Sequence, residues 1–518
     1  MNDRALDLFH RPTRAWFAET FSAPTDAQAG AWPAIVAGES TLLLAPTGSG
    51  KTLAAFLAAI DALAFSPTPT PRERCRVLYV SPLKALAVDI ERNLRAPLAG
   101  VTAAATRLGE ACRELEVGVR TGDTPAAARA RMQRAPPDIL ITTPESLYLL
   151  ATSAARVILA SIDTVIVDEI HALLPTKRGA HLFVTLERIA AQRARARPNT
   201  RPLQRIGLSA TQRDLDEVSR LLGGFTAKKT PRPVTIVDAR RPRSIALRVE
   251  VAVEDMRLAG EVESAKAETF ATRGAARGPA KASLWPSIHA RLIDEISSHR
   301  STIVFVNSRR LAERLAGALN ELATERAGHA LDRPFVEAHH GSVAREKRAL
   351  MEERLKRGEL RAIVATSSLE LGIDMGDVDQ VVQIEPPPSV SSALQRIGRA
   401  KHQVGGTPTG LIIPKHRGDL LGCAAIARQA VDGEIESTRA PRNPLDVLAQ
   451  QIVAIVAGDF GADAQVPIEA IFKLVRGAAS FAELPRSSFD GVLDMLGGRY
   501  ASNEMADDFA ELRPRLVV

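Results

Sequence analysis

Residues 45–52 read APTGSGKT, between an apolar run, TLLL, and a helix-forming run, TLAAFLAAI. Glycines let several backbone N–H groups converge at a helix N-terminus, where phosphate oxygens are favoured. A lysine placed there reaches the β- and γ-phosphates, and the next hydroxyl ligates Mg²⁺. Thr47, Gly48, Ser49, Gly50, Lys51 and Thr52 are therefore candidate ATP-binding residues, although Ala45 stands where the strict pattern opens with Gly. At residues 168–171 DEIH ends a second apolar run, TVIV. A carboxylate at a strand terminus suits a metal and its neighbour suits an attacking water, which assigns Asp168 to Mg²⁺ and Glu169 to the general base. Further on, LQRIGRAKH puts Arg396 and Arg399 on one helical face, beside Gln395. Two guanidinium groups suit a γ-phosphate whose charge shifts during transfer. Each motif alone has a plainer reading: a Gly-rich turn, a solvated acidic strand end, or a pair of surface arginines.

Such residues need strand ends to hold them, and the sequence supplies strands. Residues 40–44, 76–80, 138–141, 164–167, 302–306, 362–365 and 380–384 are short runs rich in Val, Ile or Leu, as in parallel strands covered on both faces. The segments between them are long enough for crossover helices, which predicts an α/β architecture in two groups. Between the groups, residues 254–284 are rich in Ala, Gly, Arg and Glu and read as a flexible loop or linker. A shorter loop, SPTPTPRER, starts at Ser66. After about Gly410 helical patterns dominate, and PRNPLDVLAQQIVA is expected to place Leu445, Leu448 and Ile452 on one buried face.

These motifs, with SAT at residues 209–211, resemble the ordered motifs of superfamily-two helicases. SPLKALAVDIERNL, TTPESLYLL, DEIHALL, TIVFVNSRRLAERLA, HHGSVARE and ATSSLELGIDMGDVDQVVQIEPPPSVSSALQRIGRA narrow the resemblance to the large helicase-related (Lhr) family, and PRNPLDVLAQQIVA and LDMLGGRY are similar to its winged-helix segment. The resemblance covers nearly the whole chain. It implies two RecA-like parallel-sheet domains in tandem, residues 1–232 and 233–425, and then a partial, mostly helical winged-helix domain, 426–518. It implies ATP and Mg²⁺ in the cleft of those domains, with Arg396 and Arg399 as arginine fingers, and assigns Gln28 to the adenine and Asp374 to the nucleotide. Ser209 and Thr211 match the motif that couples hydrolysis to domain movement. Lys84, Thr143, Asn307, Ser308 and Thr366 match nucleic-acid contacts, and such groups suit backbone binding without sequence preference. Two departures stand out: Lys401 occupies a position where the family has Gly, and the chain stops at LRPRLVV, where family members continue. The end is thus expected to be truncated, with roughly 481–518 loosely packed and duplex separation weak.

Composition is compatible with this reading. Hydrophobic residues make up 45% and charged residues 25%, which excludes a disordered or collagen-like chain. Of 67 Lys and Arg residues 12 are Lys, and the net charge of +7 permits nucleic acid without requiring it. Cys75, Cys112 and Cys423 are far apart and form no CxxC. Without a signal-peptide core or a membrane-spanning run, the chain reads as cytoplasmic, nucleoid-associated if DNA is its substrate. The leading reading is an ATP-dependent helicase moving 3′ to 5′ on single-stranded DNA in repair. The alternatives are an RNA helicase and a truncated ATP-gated nucleic-acid clamp.

Overall fold

The computed structural model describes residues 3–46, 48–210, 212–240, 245–253, 284–370, 378–400, 407–458, 465–499 and 514–518. Its chain forms two compact units, Met1–Arg241 with Ser437–Val518, and Pro242–Glu436. The linker expected at 254–284 lies, except for its last residue, outside the described residues. No helix among the described residues is long and apolar enough to cross a membrane.

The first unit is built on a parallel sheet of β1 (Thr41–Leu44), β2 (Val77–Val80), β3 (Val117–Arg120), β4 (Ile139–Thr142), β5 (Thr164–Val167), β6 (Gln204–Ser209) and β7 (Thr235–Asp238). Their order is β3-β4-β2-β5-β6-β1-β7. β1, β2 and β4 are buried at every position, because helices cover both faces of the sheet. Alternate residues feed two cores: Leu42, Leu44, Leu78 and Val80 face one side, and Leu43, Val77, Tyr79 and Ile141 the other. The apolar runs predicted β1, β2, β4 and β5, but not the interior strand β6, whose buried run QRIGLS is broken by Gln, Arg and Gly, nor β3 and β7. β3 and β7 are edge strands, each covered on only part of its surface, so their sequences carry no continuous apolar run. With β7 in the sheet, the first unit reaches Arg241, beyond the expected boundary at 232.

The second unit carries β8 (Ala246–Val249), β9 (Thr302–Phe305), β10 (Val336–His339), β11 (Ala362–Ala365), β12 (Gln380–Ile384) and β13 (Thr409–Ile413), ordered β10-β11-β9-β12-β13-β8. All its pairings are parallel. Its core gathers Val304, Val364, Val382 and Leu411 from the strands with Ile288, Leu292 and Leu315 from helices.

Residues 437–518 share the core of the first unit. Helices Leu445–Gly458, Ile468–Val475 and Arg486–Leu496 bury Leu448, Ile452, Phe472 and Phe489 in the cluster that contains Leu42 and Leu78. Leu448 and Ile452 are inside as expected, but Leu445, at the helix start, is 46% exposed, and Val447, Gln451 and Ile455 complete the buried face. The expectation of a loosely packed end is overturned for residues 481–496, since Phe481, Phe489, Val492, Leu493 and Leu496 are all buried. Residues 500–513 lie outside the described residues.

Polar contacts fasten this segment. Arg188, 1% exposed, donates to Gln451 Oε1 at 3.2 Å and to the Ala454 carbonyl at 3.2 Å. Next to it, Glu187 joins parts of the first unit that precede this segment, accepting from Arg205 at 2.8 Å and from Arg232 at 2.7 Å. A Cβ on Gly477 would lie 2.6 Å from Glu187 Oε2, so a side chain there would push this carboxylate away from its arginines. Burial pushes the Glu187 carboxyl up, but Arg205 and Arg232 outweigh it and hold it below the usual glutamate value of 4.5. The hub is therefore fully formed above that value and is lost as pH falls through the lower folded value. Glu187→Gln should leave both guanidinium groups uncompensated and cost about 3–5 kcal/mol. Urea unfolding at pH 7 measures this loss, and the deficit should shrink below about pH 4.5, as the wild-type carboxylate protonates.

Candidate functional site

The turn after β1 builds the phosphate loop. Gly48 and Gly50 adopt φ of 80° and 79°, the left-handed region that glycine enters without strain. Gly50 caps helix Lys51–Ala64 and Ser49 Oγ donates to the Pro46 carbonyl at 2.6 Å. Lys51 is 7% exposed, and its Nζ is buried without a hydrogen-bond partner among the described residues. Thr52 follows, half-buried in the first helical turn. A buried ammonium at a helix N-terminus fits phosphate. Gln28 packs against this loop: a Cβ on Gly50 would lie 2.6 Å from Gln28 Nε2. A capping box fixes Gln28, with its Oε1 accepting from Thr25 N at 3.0 Å, while Thr25 Oγ1 donates to the Ser49 carbonyl at 2.8 Å.

Two strands away across the sheet, β5 ends on the carboxylates. Asp168 is 4% exposed, with Oδ2 accepting from the Tyr79 hydroxyl and Oδ1 from Glu169 N at 2.9 Å. Burial first, then repulsion from Glu169, pushes the Asp168 carboxyl up to about 7, opposed by Tyr79 and Lys51. Glu169, 7% exposed, sits at φ 44°, a left-handed conformation that costs a side-chain-bearing residue about 1–3 kcal/mol and concentrates at functional sites. His171 Nδ1 lies 3.5 Å from Glu169 Oε2 and 3.1 Å from Ser209 Oγ, which links the acidic pair to the end of β6. The Ala45 amide in turn donates to the Ser209 carbonyl at 3.1 Å. Lys51, Asp168, Glu169 and Ser209 therefore lie together at the carboxyl ends of the interior strands β1, β5 and β6. Thr52 and Asp168 are the groups there whose oxygens suit Mg²⁺.

Other expected nucleic-acid contacts of the first unit follow neighbouring strands. Lys84 begins helix Lys84–Leu108 after β2, and its Nζ pairs with Asp123 at 2.6 Å. Thr143 follows β4, 3% exposed; its hydroxyl donates to Ser146 Oγ at 3.1 Å instead of capping the helix backbone.

In the second unit Arg396 is 3% exposed and heavily engaged. It donates to Glu370 Oε2 at 2.9 Å, Gln383 Oε1 at 2.7 Å and Asn307 Oδ1 at 3.2 Å, and it lies 5.3 Å from the centre of the Phe305 ring. Arg399, 4% exposed, donates to the Glu370 carbonyl at 2.9 Å, and Gln395 Nε2 donates to Ser391 Oγ at 3.4 Å. Asn307 also donates to the Pro386 carbonyl at 2.9 Å, Ser308 caps helix Arg309–Ala327 through Leu311 N at 3.2 Å, and Thr366 follows β11. Thr47, Thr211, Asp374 and Lys401 lie outside the described residues. Sequence reasoning missed Thr25, Tyr79 and Glu370. A tyrosine inside the run VLYV was the one available signal, since a buried hydroxyl needs a partner. Trp16 and Trp32 are core residues and offer no surface for stacking a base; Trp32 Nε1 donates to the Ala54 carbonyl at 3.1 Å.

Known proteins resemble this chain over nearly its whole length. The family model described as DEAD/DEAH box helicase matches residues 25–218, helicase conserved C-terminal domain matches 287–402, and large helicase-related protein, winged helix domain, matches 428–518. The chain is 50% identical to the Lhr helicase/probable uracil glycosylase of Mycolicibacterium smegmatis, over 99% of this chain and 33% of that protein. It is 38% identical to the ATP-dependent helicase Lhr-Core protein 2 of Thermococcus barophilus, over 99% of this chain and 55% of the relative. The chain thus spans between a third and just over half of these relatives. The structure of Mycobacterium smegmatis helicase Lhr bound to ssDNA and AMP-PNP superposes with a TM-score of 0.81 at 50% identity, covering 98% of this chain and 59% of that one.

The raised Asp168 value has a measurable consequence. Relative to the ordinary value of 3.8, the folded chain holds this proton more tightly, so stability falls as pH rises between about 4 and about 7. Asp168→Asn should raise the melting temperature, more at pH 8 than at pH 5, while weakening metal-dependent ATP binding. Calorimetry at both pH values, beside nucleotide titration with and without Mg²⁺, checks the pair of effects.

Proposed function

We propose, for a chain that belongs to the large helicase-related (Lhr) family and carries two RecA-like domains with an Lhr winged-helix segment, that ATP hydrolysis drives movement along a single nucleic-acid strand. The observation that carries this reading is the buried Lys51 ammonium, without a hydrogen-bond partner among the described residues, at a glycine-capped helix N-terminus, at the same carboxyl end of the sheet as Asp168 and Glu169. Backbone N–H groups of the loop and Lys51 hold the phosphates, and Gln28 reads the adenine. Thr52 and Asp168 would hold Mg²⁺, which would neutralise charge on the phosphate oxygens. Glu169 orients the attacking water and takes its proton, the role its strained backbone serves. His171 passes the state of Glu169 to Ser209 and so to the SAT segment. Gln395, Arg396, Arg399 and Asp374 act on the same nucleotide, with the arginines countering charge on the transferring phosphoryl group.

Lys84, Thr143, Asn307, Ser308 and Thr366 bind the sugar–phosphate backbone, so affinity falls steeply with salt and depends little on sequence. DNA is the preferred strand, by similarity to the mycobacterial helicase that binds ssDNA. Movement from 3′ to 5′, a role in repair and a cytoplasmic location belong to the same reading.

Glu169→Gln should keep ATP binding and lose about 10²–10⁴-fold in turnover, as for loss of a general base. Lys51→Ala should lose turnover and ATP affinity together, and Arg399→Ala should lower turnover far more than affinity. Steady-state ATPase with no strand, oligo-dT or oligo-U decides the reading: strong stimulation by oligo-dT is expected, and its absence at saturating strand would remove the motor.

A further inference from the structure

The polypeptide leaves the first unit after Arg241 and re-enters it at Ser437. Beside each crossing one residue bonds to Gln212. Arg240 Nη1 donates to the Gln212 backbone carbonyl at 2.6 Å, and the Thr438 hydroxyl donates to Gln212 Oε1. Gln212 is 6% exposed and stands three residues beyond Ser209. One buried residue thus accepts, at two different oxygens, from both passages of the chain between its units, although Thr438 is 226 residues away in sequence.

Both ends of this connection are anchored. Arg240 is held by Asp238 at the end of β7, with Nε to Oδ1 at 2.8 Å and Nη2 to Oδ2 at 2.5 Å. β7 pairs with β1, the strand that leads into the phosphate loop, and the Ala239 amide donates to the Leu44 carbonyl at 2.8 Å. On the other side, contacts run from Glu169 through His171 to Ser209. Satisfying a buried amide would need any nearby donor; the two donors found here are the exit and the return of the chain. Hydrogen bonds of this kind are made or broken, so a small shift at Ser209 can become a discrete change at a hinge.

We propose that Gln212 is a positioning residue that ties both inter-unit crossings to the nucleotide site, so that the state of the bound nucleotide sets the conformation of the hinge. The inference rests on the ATPase reading above. Gln212 touches no reacting atom; it acts through Thr438 and Arg240.

Thr438→Val removes the hydroxyl donor at constant shape, Thr438→Ser restores it, and Gln212→Leu removes the acceptor. Nucleotide affinity, followed with a fluorescent ATP analogue, and unstimulated turnover should stay within about twofold of wild type in all three. Oligo-dT-stimulated turnover should fall about fivefold or more in Thr438→Val and Gln212→Leu, the usual scale of coupling between sites, and recover in Thr438→Ser. The double variant should be no worse than either single one, because both break one bond. Amide hydrogen exchange of residues 435–440 should respond to AMP-PNP in wild type and Thr438→Ser but not in Thr438→Val. A wild-type chain that binds AMP-PNP with no change in exchange at 435–440 would overturn this inference alone. One that does not bind nucleotide would sink the ATPase reading with it.

Discussion

Charge balance in a dry interior is the constraint on which the first unit depends. Asp168 and Glu169 are adjacent carboxylates, both nearly buried, and the buried Lys51 ammonium is the cation that opposes the upward push on Asp168. Nothing in the apolar end of a sheet compensates such groups by itself, so the surroundings supply the remaining partners. Tyr79 reaches Asp168 from β2, the Glu169 amide folds back onto it, and His171 carries the connection to Ser209. The Glu169 backbone strain and the raised Asp168 value are what it costs to keep an acidic pair next to a phosphate loop.

The same physics explains where the arginines go. An Arg-rich chain invites the thought of a phosphate-binding surface, yet many guanidinium groups close internal carboxylate hubs. Asp163 gathers Arg76, Arg193 and Arg197, Asp138 gathers Arg74 and Arg113, and Glu187 gathers Arg205 and Arg232. The planar fork with several donors lets one carboxylate join strand, helix and loop. Arg396 shows how the two uses meet. Its helix face matches a nucleotide-contacting motif, but in this structure its donors hold Glu370, Gln383 and Asn307 together. Asn307, expected at the nucleic acid, is thereby tied to the helix that carries Gln395 and Arg396.

The C-terminal segment is the largest departure from a bead-like series of domains. Its helices bury Leu448, Phe472 and Phe489 in the core that the first sheet begins, and Arg188 fastens it from beneath through Gln451 and the Ala454 carbonyl. A helix with an apolar face must cover that face with something, and here the cover is the helix Lys177–Ala196 side of the first sheet.

The sequence by itself determined what short-range chemistry decides. Short apolar runs rich in Val, Ile and Leu fit covered parallel strands, and glycines before a lysine, between such a run and a helix-forming one, fit a turn with its N–H groups forward. GSGKT, DEIH and QRIGR were legible for the same reason, since each carries its chemistry within a few residues. Edge strands such as Val117–Arg120 were not legible, because a strand with one neighbour needs little apolar side chain. Nor were Tyr79 on Asp168, Glu370 on Arg396, or the two crossings on Gln212. Those pairings join residues dozens to hundreds of positions apart, and their partners are chosen by which buried polar atoms the packed sheet leaves to be satisfied. That choice belongs to the tertiary structure, which also decided that the last segment packs into the first unit's core.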